Sequence, residues 1–261
     1  MDEKLVRTPV EQDIKSSSRD MRGSWPRALL SLFGSIVLVL AIRWAFFEPY
    51  VIPSGSMIPT LLVHDHILVN KLSYGVRFPF TSSWIFHFGS PRRGDVIVFR
   101  SVDDADVFLV KRLIGLPGDE IRVVGQGQLM INGQLVPRRQ LSRAEAIQYL
   151  ARWPVDARNE ALEKNDIYEE DFDGHHHMTF RAHGDTNHEQ GPYQVSADAL
   201  FMMGDNRDNS SDSRVWGELP IDRVLGKASL IWLSCEDTLP DASQLCDPKT
   251  MRWPRLGKGI E

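Results

Sequence analysis

A mainly β protein carrying one N-terminal transmembrane helix is the fold class this sequence predicts. Three observations predict it: a charge-free apolar run over residues 28–42, short Val-, Ile-, Leu- and Phe-rich runs recurring between turn residues beyond it, and an Asn132-Gly133 pair inside an alternating stretch. At 261 residues the chain is long enough to bury a substantial core. Hydrophobic residues at 42% argue against many membrane spans. Lys plus Arg total 30 against 35 for Asp plus Glu, a net charge of −5, so no overall basic field grips a phosphate backbone and no nucleic-acid partner is expected.

Residues 1–26 are polar, with Ser16, Ser17 and Ser18 in series, and read as a cytoplasmic tail. Residues 27–47 read as the membrane anchor. The uncharged residues 28–42 rise roughly 22 Å as a helix, and a snorkelling Arg43 with Trp44, Phe46 and Phe47 extends them to about twenty, enough to cross. Lys15, Arg19, Arg22 and Arg27 precede the run, whereas residues 44–70 contain no Lys or Arg, which keeps the N-terminus in the cytoplasm and puts the rest outside. No small-x-small pair follows the run, so the segment is expected to stay as a single-pass anchor.

Residues 48–261 form the expected outer domain. Strands are predicted within 66–74, 95–100, 106–115, 120–136, 178–182, 193–203 and 226–234. Asn132-Gly133 tolerates the positive φ angles of a two-residue hairpin turn between Gln128 and Val136. Ser142 and Glu145 form a capping box ahead of Ala146, Ile147, Leu150 and Trp153, which share one helical face until Pro154. The acidic stretch Glu169, Glu170, Asp171 and Asp173 reads as an exposed loop or flap.

Three stretches carry possible chemistry. Pro53-Ser-Gly-Ser-Met-Ile-Pro-Thr-Leu61 is a compact set of turn residues that exposes a serine just past the anchor. Neither the Gly-x-Ser-x-Gly elbow nor a Ser-x-x-Lys pattern is present, and His64 and His66, read as outward-facing loop residues, have no triad spacing. In the second stretch, Lys111 and Arg112 lie side by side inside an apolar strand and must point to opposite faces. Lys111 shares its face with Val107, Leu109 and Leu113; covering that face desolvates the amine and lowers its pKa. Bringing it from about 10.4 to the operating pH requires roughly 3 to 4 kcal/mol of preference for the neutral form, within the reach of burial. The third stretch, Met202 to Arg214, is dense in Asp, Asn, Ser and Arg; Arg207 and the missing glycine spacing disfavour a calcium loop.

Together these stretches resemble the type I signal peptidases, the membrane-anchored Ser/Lys endopeptidases. The resemblance runs in order through Ser54-Gly55-Ser56-Met57-Ile58-Pro59-Thr60-Leu61, Arg93-Gly94-Asp95-Val96, Lys111-Arg112 with Gly115-Leu116-Pro117-Gly118-Asp119, and Gly204-Asp205-Asn206-Arg207-Asp208-Asn209-Ser210-Ser211-Asp212-Ser213-Arg214. Residues 137–200 match only loosely and are expected to form a variable insertion or cap.

By that resemblance Ser56 is the nucleophile, Lys111 the general base, and the Ser54 hydroxyl and Ser56 amide the oxyanion donors. Ser210 orients Lys111, and Asp212 with Arg214 braces the loop as a buried ion pair. Ile52, Met57, Leu61 and Val110 line a shallow apolar pocket for a small residue. The implied partners are signal peptides of exported preproteins, membrane lipids and, by proximity, the export translocon, at the bacterial plasma (inner) membrane. The resemblance implies no cofactor. Two other readings are a dedicated Ser/Lys processing peptidase of a conjugation or pilus system and a non-catalytic membrane-tethered β scaffold.

Outside the cytoplasm Cys235 and Cys246 can pair, and a disulfide is expected there; in a reducing compartment they are two thiols. His175, His176 and His177, with His183 and His188 nearby, are not expected to bind a metal, because adjacent side chains on a strand diverge. Phe46, Phe47, Phe78, Phe80, Trp84, Phe86 and Phe88 are candidates for an interfacial belt.

Overall fold

The computed structural model describes residues 25–39, 46–77, 84–87, 89–184 and 189–260. The chain divides into two compact units, Met1–Phe46 and Phe47–Glu261. In the first, residues 25–39 are helical, and the apolar side chains of Leu29, Leu30, Leu32, Phe33, Ile36 and Leu38 are exposed. No helix among the described residues is long and apolar enough to cross a membrane. The expected tail to residue 24, and Arg43 and Trp44 of the expected anchor, lie outside the described residues.

The second unit is built on a curled antiparallel sheet. In sheet order its strands are Phe47–Val51, Asp65–Asn70, Val224–Ser234, Val96–Arg100, Phe108–Gly115, Ala199–Met203 and Leu219–Pro220, with Lys258–Gly259 pairing to Val224–Ser234. Register shifts along Val224–Ser234 bend the sheet there. Val96, Ile97, Val98 and Phe99 are consecutive and all buried, because the strand is covered on both faces. Val96 and Val98 join a cluster with Ile52, Met57, Leu61 and Ile67. Ile97 and Phe99 join another with Tyr74, Leu113, Leu200 and Met202.

A second sheet, Gln190–Gln194, Glu120–Val124, Gln128–Ile131 and Gln134–Leu135, contains the expected hairpin. Asn132 and Gly133 take φ of 52° and 77°, the left-handed region that such a turn demands. Ser142 caps the helix Arg143–Tyr149 and forms the full capping box with Glu145. Ala146 and Leu150 are buried, but Ile147 is exposed, so the apolar face is narrower than expected. The helix ends before Pro154, which instead precedes a second helix, Val155–Lys164, absent from the sequence reading.

The acidic stretch is a correction. Glu169, Glu170 and Asp171 lie within the strand Asn165–Phe172, which pairs with His175–Ala182 through a turn at Asp173 and Gly174. Strand alternation turns Glu170 inward, where it is buried, while Asp171 faces its exposed cross-strand partner His176. A charged sequence can form this strand because an arginine neutralises the inward carboxylate.

Candidate active site

Ser56 sits in the 3-10 turn Gly55–Met57, which follows the edge strand Phe47–Val51. The turn is held from the 204–214 loop: the Asn206 N–H donates to Ser56 O at 3.0 Å and Asn206 Nδ2 to Gly55 O at 3.1 Å. Gly204 is required at the contact. A Cβ there would lie 2.5 Å from Ser56 O and 2.2 Å from Ser210 Oγ.

Lys111, on the strand Phe108–Gly115 opposite Ile97, is 3% exposed, and its Nζ lies 2.6 Å from Ser56 Oγ. Ser56 is itself only 8% exposed. Burial pushes the Lys111 amine down to about 8, against the opposing pull of Asp212 and Asp205 and with help from Arg214. Leu109 and Leu113 lie on the same strand face and pack in or against the buried cluster around Ile97, whereas Val107 is exposed. The apolar cover therefore begins at Leu109, one same-face position later than the sequence predicts, because Val107 lies before the strand.

Arg112 points the other way, as strand alternation requires. It forms a buried two-pronged pair with Asp205, Nε to Oδ1 and Nη2 to Oδ2, both at 2.8 Å, and Thr60 Oγ1 donates to the same carboxylate at 2.5 Å. One strand thus supplies an amine to Ser56 on one face and anchors the 204–214 loop on the other. Thr60, Arg112 and Asp205 were not assigned roles from sequence, although the period-two reading already separated Arg112 from Lys111.

Ser54 Oγ stands 3.5 Å from Ser56 Oγ. Asp212 is fully buried and grips Arg214 through Nε at 2.8 Å and Nη2 at 2.7 Å. Asp212 also accepts from the Gly204 N–H at 2.9 Å, and Arg214 Nη2 donates to Arg207 O at 2.6 Å. The Ser210 hydroxyl is buried next to Gly204 and has no hydrogen-bond partner among the described residues. Ile52, Met57 and Leu61 are buried in one cluster, with Val110 packed against it.

One histidine expectation changes. His66 is buried in the strand Asp65–Asn70, its ring edge-on to Trp232 at 5.5 Å, and is no outward loop residue. His64 Nδ1 meets Glu236 O at 2.7 Å. Neither reaches Ser56 through any hydrogen bond among the described residues. Along His175–Ala182 the side chains diverge: His175 and His176 are exposed and His177 is buried beside Glu170.

Cys235 and Cys246 are joined by a disulfide with Cα atoms 5.6 Å apart. His66 and the two sulfurs come within 4.8 Å of one another, but bonded sulfurs offer no thiolate to an ion. Phe46, Phe47 and Phe86 are exposed, while Phe78, Phe80, Phe88 and His188 lie outside the described residues.

A hydroxyl within hydrogen-bond reach of a buried amine whose pKa is lowered is an arrangement that can support general-base chemistry. The profile of the family described as signal peptidase, peptidase S26, matches residues 25–233. Signal peptidase I of Pseudomonas fluorescens is 39% identical over 220 residues, covering 78% of this chain and 71% of its own. Signal peptidase I of Pseudomonas aeruginosa is 35% identical over 237 residues, covering 82% and 76%. Signal peptidase I of Buchnera aphidicola subsp. Schizaphis graminum is 36% identical over 236 residues, covering 80% and 75%.

Proposed function

The chain belongs to the signal peptidase family, peptidase S26, and is therefore a peptide hydrolase; from that premise we propose that it cleaves N-terminal signal peptides from exported preproteins with Ser56 as nucleophile and Lys111 as general base. The observation that carries the reading is the 2.6 Å approach of Lys111 Nζ to Ser56 Oγ in a nearly closed site. Neutral Lys111 accepts the Ser56 proton as Oγ attacks the scissile carbonyl. The Ser54 hydroxyl and the Ser56 amide stabilise the oxyanion. The protonated amine then delivers its proton to the leaving amino group, and Lys111 activates a water that releases the acyl-enzyme.

Asp212 and Arg214 brace the loop beside Lys111, and the Ser210 hydroxyl, which bonds nothing among the described residues, is free to turn toward the amine once substrate binds. The small residue before the cleaved bond is expected to seat beside Ser56 against the partly exposed Val110, with Ile52, Met57 and Leu61 packed beneath as the apolar floor. The strand Phe47–Val51 ends the sheet order and runs toward the Ser56 turn, which favours binding of an extended signal-peptide end by strand addition. Residues 27–47 anchor the enzyme in the bacterial plasma membrane with the second unit outside, next to lipid and near the translocon, where signal peptides emerge.

The test is incubation of the detergent-solubilised chain with a preprotein, followed by N-terminal sequencing of the product. Cleavage after a small residue is expected from the wild type. Ser56→Ala and Lys111→Met should each lower the rate by at least about a thousandfold with an unchanged circular dichroism spectrum. Wild-type turnover in either folded variant contradicts the dyad.

A further inference from the structure

The reaction described above gives no task to the hairpin Asn165–Phe172 and His175–Ala182, yet the hairpin carries a buried charge cluster. Glu170, 1% exposed, accepts from Arg207 Nη1 at 2.7 Å and Nη2 at 2.6 Å. Its cross-strand partner His177 brings Nε2 to 3.4 Å from the same carboxylate and stacks on Phe172. Burial alone would favour the neutral acid; chiefly the Arg207 guanidinium overcomes it and holds Glu170 ionised, at about 2. Such a pair is costly to bury, and a known reason to keep one is to fix a single arrangement of the elements it joins.

The elements joined here are the hairpin and the 204–214 loop. The Phe180 N–H donates to Asp205 O at 2.8 Å, and the Arg207 N–H donates to Phe180 O at 3.0 Å. At the hairpin's end Asp208 accepts from the Ala182 N–H at 2.8 Å and pairs with Arg181 at 3.1 Å. The same loop reaches the elements that carry both reacting groups: Asn206 bonds the Ser56 turn, Asp205 pairs with Arg112, the strand neighbour of Lys111, and Arg207 O receives Arg214, which grips Asp212.

We propose that Glu170 is a positioning residue, whose pairing with Arg207 ties the hairpin to the 204–214 loop so that the loop holds Ser56 and Lys111 in reacting register. The hairpin is then part of the catalytic machinery. This rests on the Ser56 and Lys111 reading.

The experiment measures kcat and KM for preprotein cleavage by the full chain in detergent from pH 6.5 to 10.5, with thermal unfolding alongside. Wild type, Ser56→Ala, Glu170→Gln and Asp208→Asn are compared. Glu170→Gln keeps the side-chain shape and removes the charge. Its kcat at pH 8 should fall about ten- to a hundredfold with KM within about threefold, since small misplacements of reacting groups act on the chemical step.

Its activity should also rise at a higher pH, by about one unit, because a loosened loop lets water reach Lys111. Asp208→Asn should act in the same direction by about two- to fivefold. Lowered thermal stability with an unmoved pH profile and a kcat within twofold of wild type would make the pair structural only and overturn the proposal. If Glu170→Gln does not fold, Asp208→Asn decides on the same two readouts. Inactive wild type, or active Ser56→Ala, would instead sink the dyad reading itself.

Discussion

A lysine is a base only where its charge is unwelcome, and Lys111 illustrates how much of that was readable in advance. Period-two alternation separates Lys111 from Arg112, and the apolar neighbours Leu109 and Leu113 predict desolvation. The burial of the Ser210 hydroxyl and the Asp205 partner of Arg112 were not readable, because both depend on how a loop some ninety residues later folds back. Burial has a consequence for stability. Unfolded, Lys111 titrates at its ordinary 10.5; folded, it titrates at about 8. Below pH 8 the folded chain therefore bears a cost of roughly 3 kcal/mol, which fades between pH 8 and 10.5 as the folded amine gives up its proton first. Lys111→Met should thus be inactive yet more stable at pH 7, by up to roughly 3 kcal/mol in urea unfolding, with the gain gone above pH 10.5. Equal stability of the two proteins at pH 7 would mean that the amine is well solvated.

At the scale of elements, strands with an unmistakable pattern were placed and strands with a charged surface were not. Val96 to Phe99 read as a strand because an uninterrupted apolar run suits an element covered on both faces. Asn132-Gly133 marked its hairpin because few other dipeptides accept those φ angles. The acidic stretch Glu169, Glu170, Asp171 and Asp173 reads as a loop because its charges resist burial; its first three residues are strand because the distant Arg207 makes the inward carboxylate of Glu170 tolerable. The same physics joins the strand Phe108–Gly115 to the 204–214 loop through Arg112 and Asp205. Asp205→Asn leaves a buried guanidinium uncompensated and should lower stability by about 3 to 5 kcal/mol in urea unfolding. Arg112→Met with Asp205→Leu should recover most of that loss, since neither charge is then buried. A single substitution costing under about 1 kcal/mol would show that the pair does not hold the loop.

At the scale of the whole molecule, the chain separates into a unit ending at Phe46 and a larger one with its own buried clusters. The proposed division of labour is anchoring by the first and chemistry by the second. A chain beginning at Phe47 should process a preprotein in detergent within about threefold of the full chain, but lose at least about tenfold on a preprotein embedded in vesicles, where anchoring raises the local concentration. Equal activity on vesicles would remove the anchor from the account. The central claim is the neutral lysine, and the single-turnover rate of preprotein cleavage as a function of pH tests it most directly. Lys111 titrating at about 8 predicts a rate that rises tenfold per pH unit below that value and levels off above it. A rate that is flat from pH 6.5 to 9.5, or that levels off near pH 6.5 as a histidine base would dictate, contradicts it.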